Sequence, residues 1–317
     1  MTSRATTNFD FMGVRKLMAL ISIILVLAAG ASLGVRGLTL GLDFTGGSLV
    51  ELEYGEAPDL GQVRQTLEEA GFESPMVQNF GSDTAVLIRL PADFDDKVGQ
   101  QVVSTLRQGS DISLERSEYV GGQVGEELRE KGGLALLLSF FVVLVYVAMR
   151  FQLKFGVASV IPLIHDVLIV LGIFSVFQFT FDLTVLAALL AVIGYSLNDT
   201  IIVSDRIREN FRRILRGEPD EIINISLNQV LMRTLVTSGT TLAVLASLLI
   251  FGGEMIRNFA LALFIGVMVG TYSSIYVAAN MLVILGVSRD DLYVPPKEGA
   301  EDQSVDEEPP EWLKRME

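Results

Sequence analysis

Apolar positions collect into six long runs: Leu17 to Val35, Gly133 to Met149, Phe155 to Phe177, Leu186 to Arg206, Leu231 to Phe251 and Phe259 to Leu285. Each approaches the length of about 20 residues that a helix needs to cross a bilayer. Between the first two runs, from Arg36 to Lys131, hydropathy drops and the periodicity changes. In Ser48 to Tyr54, Val50, Leu52 and Tyr54 alternate with polar residues, the pattern of a half-buried strand. Pro58-Asp59 opens a helical spacing of Leu60, Val63, Leu67 and Ala70, which Gly71 ends. Pro75 to Phe80 and Thr84 to Leu90 read as strands around the turn Gly81-Ser82-Asp83. Phe94, Val98, Val102 and Leu106 mark a second amphipathic helix, and Asp111 to Val120 a last strand. The order β-α-β-β-α-β predicts a ferredoxin-like α+β domain, one antiparallel sheet with both helices on one face. That fold hosts many functions and selects none.

The short connections carry charge unevenly. Arg4, Arg15 and Lys16 precede the first run, and Arg150 and Lys154 separate the second from the third. Arg206, Arg208, Arg212, Arg213 and Arg216 follow the fourth, whereas Gln178 to Thr184 holds Asp182 and no Lys or Arg. Basic loops remain cytoplasmic, so both termini are expected inside and the domain at 36–131 exported to the other side of the membrane. The expected organisation is a cytoplasmic N-terminus (1–16), a first span (17–35), that domain (36–131) and a bundle of spans two to six (132–285). The first run is long and more spans follow, so it is expected to stay as a span and not be cleaved as a signal peptide. Residues 204–230, amphipathic around Ile222, Ile225 and Val230, are expected to lie along the cytoplasmic interface. The acidic, proline-containing tail at 286–317 is expected to be disordered.

Composition sharpens this picture. Half the residues are hydrophobic and mean hydropathy is +0.47, so the chain is expected to be an integral membrane protein. The net charge of −14 leaves no basic stripe for nucleic acid. Without cysteine there is no disulfide or thiolate chemistry, and the only histidine is His165, inside a span. A soluble Ser-His-Asp set, zinc-ligand spacing and a phosphate loop are therefore missing; neither enzyme nor metal or cofactor site is expected. Glu68, Glu69, Asp95 and Asp96 read as solvated helix faces.

Candidate chemistry lies within the spans. Asn198-Asp199-Thr200 interrupts the fourth run, and a carboxylate at membrane depth commonly marks an ion or proton route. The competing reading has Asp199 merely snorkelling toward Arg206 and Arg208. Arg233 opens the fifth run, followed by Thr234, Thr237, Ser238, Thr240 and Thr241 on a hydroxyl-rich stretch. Topology places Arg233 and Asp199 at similar depth, so the two are expected to pair, and protonating the acid would release the cation. Asp166, beside His165 and after Pro162, is a second buried acid. Gly194, Ser196, Gly239, Gly266 and Gly270 favour close helix packing. The stretch Gly41-Leu42-Asp43-Phe44-Thr45-Gly46-Gly47 lacks a helix that would cradle phosphate and is expected to pin the first span to the exported domain.

Four segments together resemble the SecF family of protein-translocase subunits. They are Gly41 to Gly47; His165-Asp166-Val167; Gly194-Tyr195-Ser196-Leu197-Asn198-Asp199-Thr200-Ile201 with Asp205-Arg206-Ile207-Arg208-Glu209; and Arg233-Thr234-Leu235 with Thr237-Ser238. The resemblance implies half of a resistance-nodulation-division type bundle. It further implies residence in the bacterial inner membrane, a SecD partner supplying six more helices, association with the SecYEG channel, and contact with emerging unfolded polypeptide and membrane lipid. It assigns proton conduction to the positions of Asp199 and Arg233, and Gly41, Asp43, Phe44, Gly46 and Gly47 form the family's glycine motif. Read from the residues themselves, His165, Asp166, Tyr195, Ser196, Asn198, Thr200 and Thr237 are supporting intramembrane polar candidates, with Asp166 alternatively only a hydrogen-bonding tie to a neighbouring helix. The coupling ion would be H⁺. Two other readings stand beside it: a non-conducting assembly subunit, and half of an efflux pump, the latter weakened by the lack of a second large exported loop.

Overall fold

The computed structural model describes residues 9–90, 97–107, 111–214, 217–288 and 291. Among the described residues, six helices are long and apolar enough to cross a membrane: α1 (Arg15–Arg36), α5 (Gly122–Arg150), α6 (Leu153–Phe177), α7 (Leu183–Arg213), α8 (Pro219–Phe251) and α9 (Glu254–Ile284). The protein is thus a multi-pass membrane protein. Between α1 and α5 lie β1 (Thr39–Leu40), α2 (Leu42–Thr45), β2 (Gly47–Tyr54), α3 (Leu60–Glu69), β3 (Met76–Phe80), β4 (Ser82–Leu90), α4 (Val98–Leu106) and β5 (Ile112–Val120); β6 (Thr180–Phe181) follows α6.

β2 to β5 form one antiparallel sheet in the order β3-β4-β2-β5. This is the split βαβ arrangement that the strand and helix pattern predicts. Alternation works as expected: Val50, Leu52 and Tyr54 face inward and pack with Val86, Ile88 and Leu90 against Val63 and Leu67 of α3 and Val98 and Val102 of α4. Asp59 caps α3 by accepting from the amides of Gly61 and Gln62. Phe94, Asp95 and Asp96 lie outside the described residues.

Three helix boundaries depart from expectation, those of α5 and α7 for one reason and that of α8 through the packing of its first turns. Glu, Lys and Arg are poor membrane residues but good helix formers, so a helix continues after its apolar run has ended. α5 begins at Gly122, eleven residues before the apolar run, and its polar first turns carry a Glu127–Lys131 ion pair of 2.5 Å. The domain expected to reach residue 131 therefore gives way to helix at residue 122. Residues 204–230 do not form a separate interfacial helix: α7 continues to Arg213, and α8 starts at Pro219 and runs unbroken to Phe251. The apolar face of this region is covered by protein, with Ile222, Ile223 and Leu227 packed against Phe151, Phe155, Val203, Ile207 and Phe211. Asn210 donates to Ser226 (2.8 Å) and Gln229 (2.7 Å), which joins the two extensions. At the start of the tail, Val287 is buried in the same cluster and Asp291 pairs with Lys154 at 2.7 Å. Arg4, Arg216 and the rest of the expected tail, residues 292–317, fall outside the described part.

Within the bundle, α6, α7 and α9 form the centre and α1, α5 and α8 lie outside; 61% of the apolar window of α6 is buried but only 17% of that of α8. Small residues set the approach of the central helices. A Cβ on Gly266 would meet Val192 Cγ2 at 2.2 Å, and one on Gly270 would meet Ser196 Cβ at 3.1 Å.

Candidate intramembrane polar site

Two acids are buried among α6, α7, α8 and α9, and their surroundings differ. Asp166 is fully buried on α6. One carboxylate oxygen accepts from Ser196 of α7 (2.6 Å) and Ser273 of α9 (2.8 Å), and the other lies 2.9 Å from Nδ1 of His165. One side chain thereby ties three helices. His165 lies flat against Tyr272 of α9 with ring centroids 6.2 Å apart, and its Nε2 is buried without a hydrogen-bond partner. Pro162 sits inside α6 one turn earlier.

Asp199 is also buried, one turn after Ser196 on the inward face of α7. Its Oδ2 accepts a single hydrogen bond of 3.3 Å, from Ser238 of α8, and Ser238 accepts from Thr271 of α9 at 2.7 Å. Its Oδ1 has no partner, and the buried Tyr195 and Thr234 hydroxyls have none either. Buried oxygens without donors are costly in a low-dielectric interior, which makes this the under-satisfied end of the polar core.

Arg233 does not form the direct ion pair expected from its depth. It lies on the exposed side of α8, within Coulombic range of Asp199, and lines an open cleft of about 540 Å³ with Arg150, Asp205, Arg206, Glu209 and Gln229. The reason is rotational: Ser238 and Thr234 occupy the inward face of α8, and Arg233 precedes Thr234 by about 100° around the axis. Arg206 is occupied by Glu209 (2.5 Å) and Gln229 (2.6 Å), so Asp199 does not snorkel to it.

The remaining expected residues divide. Thr200 shares a 3.0 Å hydrogen bond with Ser274 of α9, and Ser196 holds Asp166; both belong to the network. Asn198 is exposed, on the far side of α7 from Thr200. Thr237 bonds the carbonyls of Arg233 (3.0 Å) and Thr234 (2.9 Å) on its own helix, as Thr240 and Thr241 bond theirs. Sequence reasoning missed Thr271, Ser273 and Ser274. The available signal was four consecutive hydroxyl residues, Thr271 to Ser274, directly after Gly270 and inside an apolar run.

The glycine motif is a joint, but its contacts are with β6 and the ends of α7 and α5, not with the first span to which it was expected to pin the sheet domain. The Gly41 amide donates to Phe181 (2.7 Å), β1 pairs with β6 in parallel, and Phe44 stacks on Phe181 with centroids 5.6 Å apart. Asp43 accepts from the amide of Leu183 at the start of α7 (2.8 Å). Gly46 has φ +68°, and a Cβ there would lie 2.6 Å from Gly122 Cα, so the end of α2 and the start of α5 touch backbone to backbone. Gly47 (φ 113°) begins β2. From the sheet, Arg89 donates to the Leu40 carbonyl (3.0 Å), its guanidinium pKa lowered by burial against the opposing charges of Asp182 and Asp43.

Among the described residues no group of three or more His, Asp or Glu side chains is placed to hold a metal ion.

Six spanning helices, a split βαβ domain and a line of polar side chains through the central helices define a multi-pass membrane protein with an ionisable core. Residues 100–288 match the family of protein export membrane proteins SecD/SecF, C-terminal, and residues 31–57 match the SecD/SecF GG motif. The chain belongs to the SecD/SecF family, on its SecF side. It is 49% identical over 305 residues to the protein translocase subunit SecF of Pseudomonas aeruginosa, covering 95% of this chain and 98% of that one. It is 46% identical over 293 residues to protein translocase subunit SecF of Escherichia coli O157:H7, covering 90% and 91%. Among solved structures it resembles SecDF of Thermus thermophilus, described as a translocon-associated membrane protein, with TM-score 0.82 and 37% identity over 89% of this chain. A SecDF structure in a super-membrane-facing form matches 90% of this chain with TM-score 0.67 and 37% identity. The chain spans 39% of the length of each of those SecDF chains.

Proposed function

We propose that this chain is the SecF subunit of a bacterial Sec protein-export machine and that, with a SecD partner, it uses the proton-motive force to promote translocation. The carrying observation is the asymmetry between the two buried acids: Asp166 has its carboxylate engaged by three groups, whereas Asp199 has one long hydrogen bond and one bare oxygen. A carboxylate in this second condition is suited to gaining and losing a proton, because few bonds oppose either state. With Asp199 charged, the through-space attraction of Arg233 biases α8 toward α7; with Asp199 neutral, that bias is gone. Arg233 opens onto the charged cleft at the end of the bundle away from the sheet domain, which supports a water-accessible route on that side.

In this reading the cleft end and both termini are cytoplasmic, the sheet domain is periplasmic, and the membrane is the inner one. The SecDF neighbours contain more than twice the length of this chain, which supports a partner half supplied by SecD. SecYEG and the emerging unfolded polypeptide are the further partners, and H⁺ is the coupling ion. One charge crossing about 100 mV yields roughly 2.3 kcal/mol, so a few protons suffice to shift a domain equilibrium of a few kcal/mol.

The test is export by an otherwise intact, reconstituted complex under an imposed proton gradient. Asp199→Asn and Arg233→Met are expected to assemble normally and to lose gradient-stimulated export. Wild-type stimulation in both variants would leave a non-conducting assembly subunit.

A further inference from the structure

Helix α8 carries both Arg233 and Ser238, yet only a small part of its apolar window is buried against the rest of the chain. Its polar first turns, Pro219 to Leu231, are gripped by a segment that the sequence pattern marks only as a polar terminus. Residues Phe9 to Gly13 lie across them, irregular at Phe9 and Asp10 and in a turn from Phe11.

The grip is specific. The Asn228 side chain meets the peptide of Phe9 with both of its groups: Oδ1 accepts from the Phe9 amide at 2.8 Å and Nδ2 donates to the Phe9 carbonyl at 2.8 Å. One turn earlier on α8, Asn224 Oδ1 accepts from the amides of Phe11 (2.8 Å) and Met12 (3.3 Å). One turn earlier again, Asp220 forms an ion pair with Arg15 at the start of α1. Asn224 and Asn228 stand four apart, on one helix face, and their carboxamides supply partners for the backbone groups of Phe9, Phe11 and Met12. Phe11 and Met12 are buried between these bonds, and Phe11 packs edge-on against Tyr276 of α9, with centroids 5.9 Å apart. Beyond Tyr276, Tyr272 donates to the Met18 carbonyl of α1 (2.9 Å) and shares a hydrogen bond with Ser22 (2.9 Å). The segment thus joins the same ends of α1, α8 and α9.

We propose that Phe9–Gly13 is a clasp that sets the position of α8, and that Asn224 and Asn228 are positioning residues acting through it on the distance between Arg233 and Asp199. The proposal rests on the reading of Asp199 and Arg233 as the proton site. Asn228 precedes Arg233 by five residues on one rigid helix, so a shift of the clasped end is carried to Arg233 almost undiminished. The clasp shares the first turns of α8 with the packing of Ile222, Ile223 and Leu227 and the Asn210 bonds, and beyond them the Asp199–Ser238 contact is long and single, so it does not hold the helix by itself.

The experiment uses the reconstituted complex and the absence of natural cysteine in this chain. The double variant Asn224→Ala/Asn228→Ala is expected to insert and assemble but to lose gradient-stimulated export by about fivefold or more, the lower end of measured coupling effects. It is also expected to require a steeper pH gradient for half-maximal export, a shift that a merely structural defect would not produce. A second variant, Phe9→Cys/Asn228→Cys, is compared with itself before and after closure by a short thiol cross-linker. The open form is expected to be impaired and the closed form restored. Wild-type export by the double alanine variant, alongside inactive Asp199→Asn, would overturn the clasp and leave the proton site standing. Equal activity of the open and closed cysteine forms would overturn it too, including when the alanine variant fails to insert. Wild-type export by Asp199→Asn would instead remove the reading on which the clasp rests.

Discussion

Replacing Asp166 by alanine should destabilise the bundle far more than replacing Asp199 by asparagine, although both acids are buried in spanning helices. Asp166→Ala strands the hydroxyls of Ser196 and Ser273 and Nδ1 of His165, which now point at one carboxylate from three helices. Hydrogen bonds between membrane helices average about 0.6 and reach about 1.7 kcal/mol, so the two from Ser196 and Ser273 amount to about 1–3.5 kcal/mol, to which the His165 contact within α6 adds. Ser273 recovers part of this through the Gly270 carbonyl at 3.1 Å, which places the expectation toward the lower half of that range. In Asp199→Asn the amide oxygen still accepts from Ser238 and the volume is unchanged, so the loss should remain below about 1 kcal/mol. Reversible unfolding in mixed micelles, followed by circular dichroism, gives both values. A double-mutant cycle of Asp166→Ala with Ser273→Ala should show coupling of about 0.5 kcal/mol or more. The reasoning is refuted if Asp166→Ala costs no more than Asp199→Asn, or if Asp166 and Ser273 prove additive.

Three further outcomes are expected. Gly172→Ala should cost about 1–3 kcal/mol, because the new Cβ would lie 2.3 Å from Ala29 Cβ and 2.7 Å from Ala29 Cα and only movement of α1 as a body relieves the contact. Gly194→Ala, where nothing lies within 4 Å, should be nearly neutral in the same unfolding assay. Asp291 is held below the usual carboxylate range, first by its hydrogen bond to the Lys154 ammonium and then by the Ser288 amide. A depressed folded-state pKa contributes stability above the unfolded value, near 3.9, which is lost as pH falls through the folded value. Asp291→Asn should therefore lower thermal stability slightly at pH 7 and make no difference in strong acid. The pair is partly exposed, so less than about 1 kcal/mol, screened by salt, is at stake.

The six spans, the β-α-β-β-α-β order of the sheet domain and the two buried acids were legible in residue order alone. Bilayer length, period-two alternation and the rarity of carboxylates in apolar runs are local properties that a one-dimensional pattern carries. The extent of α5 and α7 was not legible, because hydropathy measures where lipid ends and helix propensity ignores that limit. That of α8 was not, because its first turns are set by packing against α6 and α7. Nor was the division of labour between Asp166 and Asp199. It depends on which hydroxyls of α8 and α9 arrive within bonding distance, and so on helix rotation and on the close approach allowed at Gly266 and Gly270. Rotation likewise turned Arg233 to the cleft and Thr234 to the core, a choice that equal depth in the membrane leaves open. The docking of Phe9–Gly13 on Asn224 and Asn228 was hidden for the same reason: residues more than two hundred positions apart meet only when the helices between them have packed.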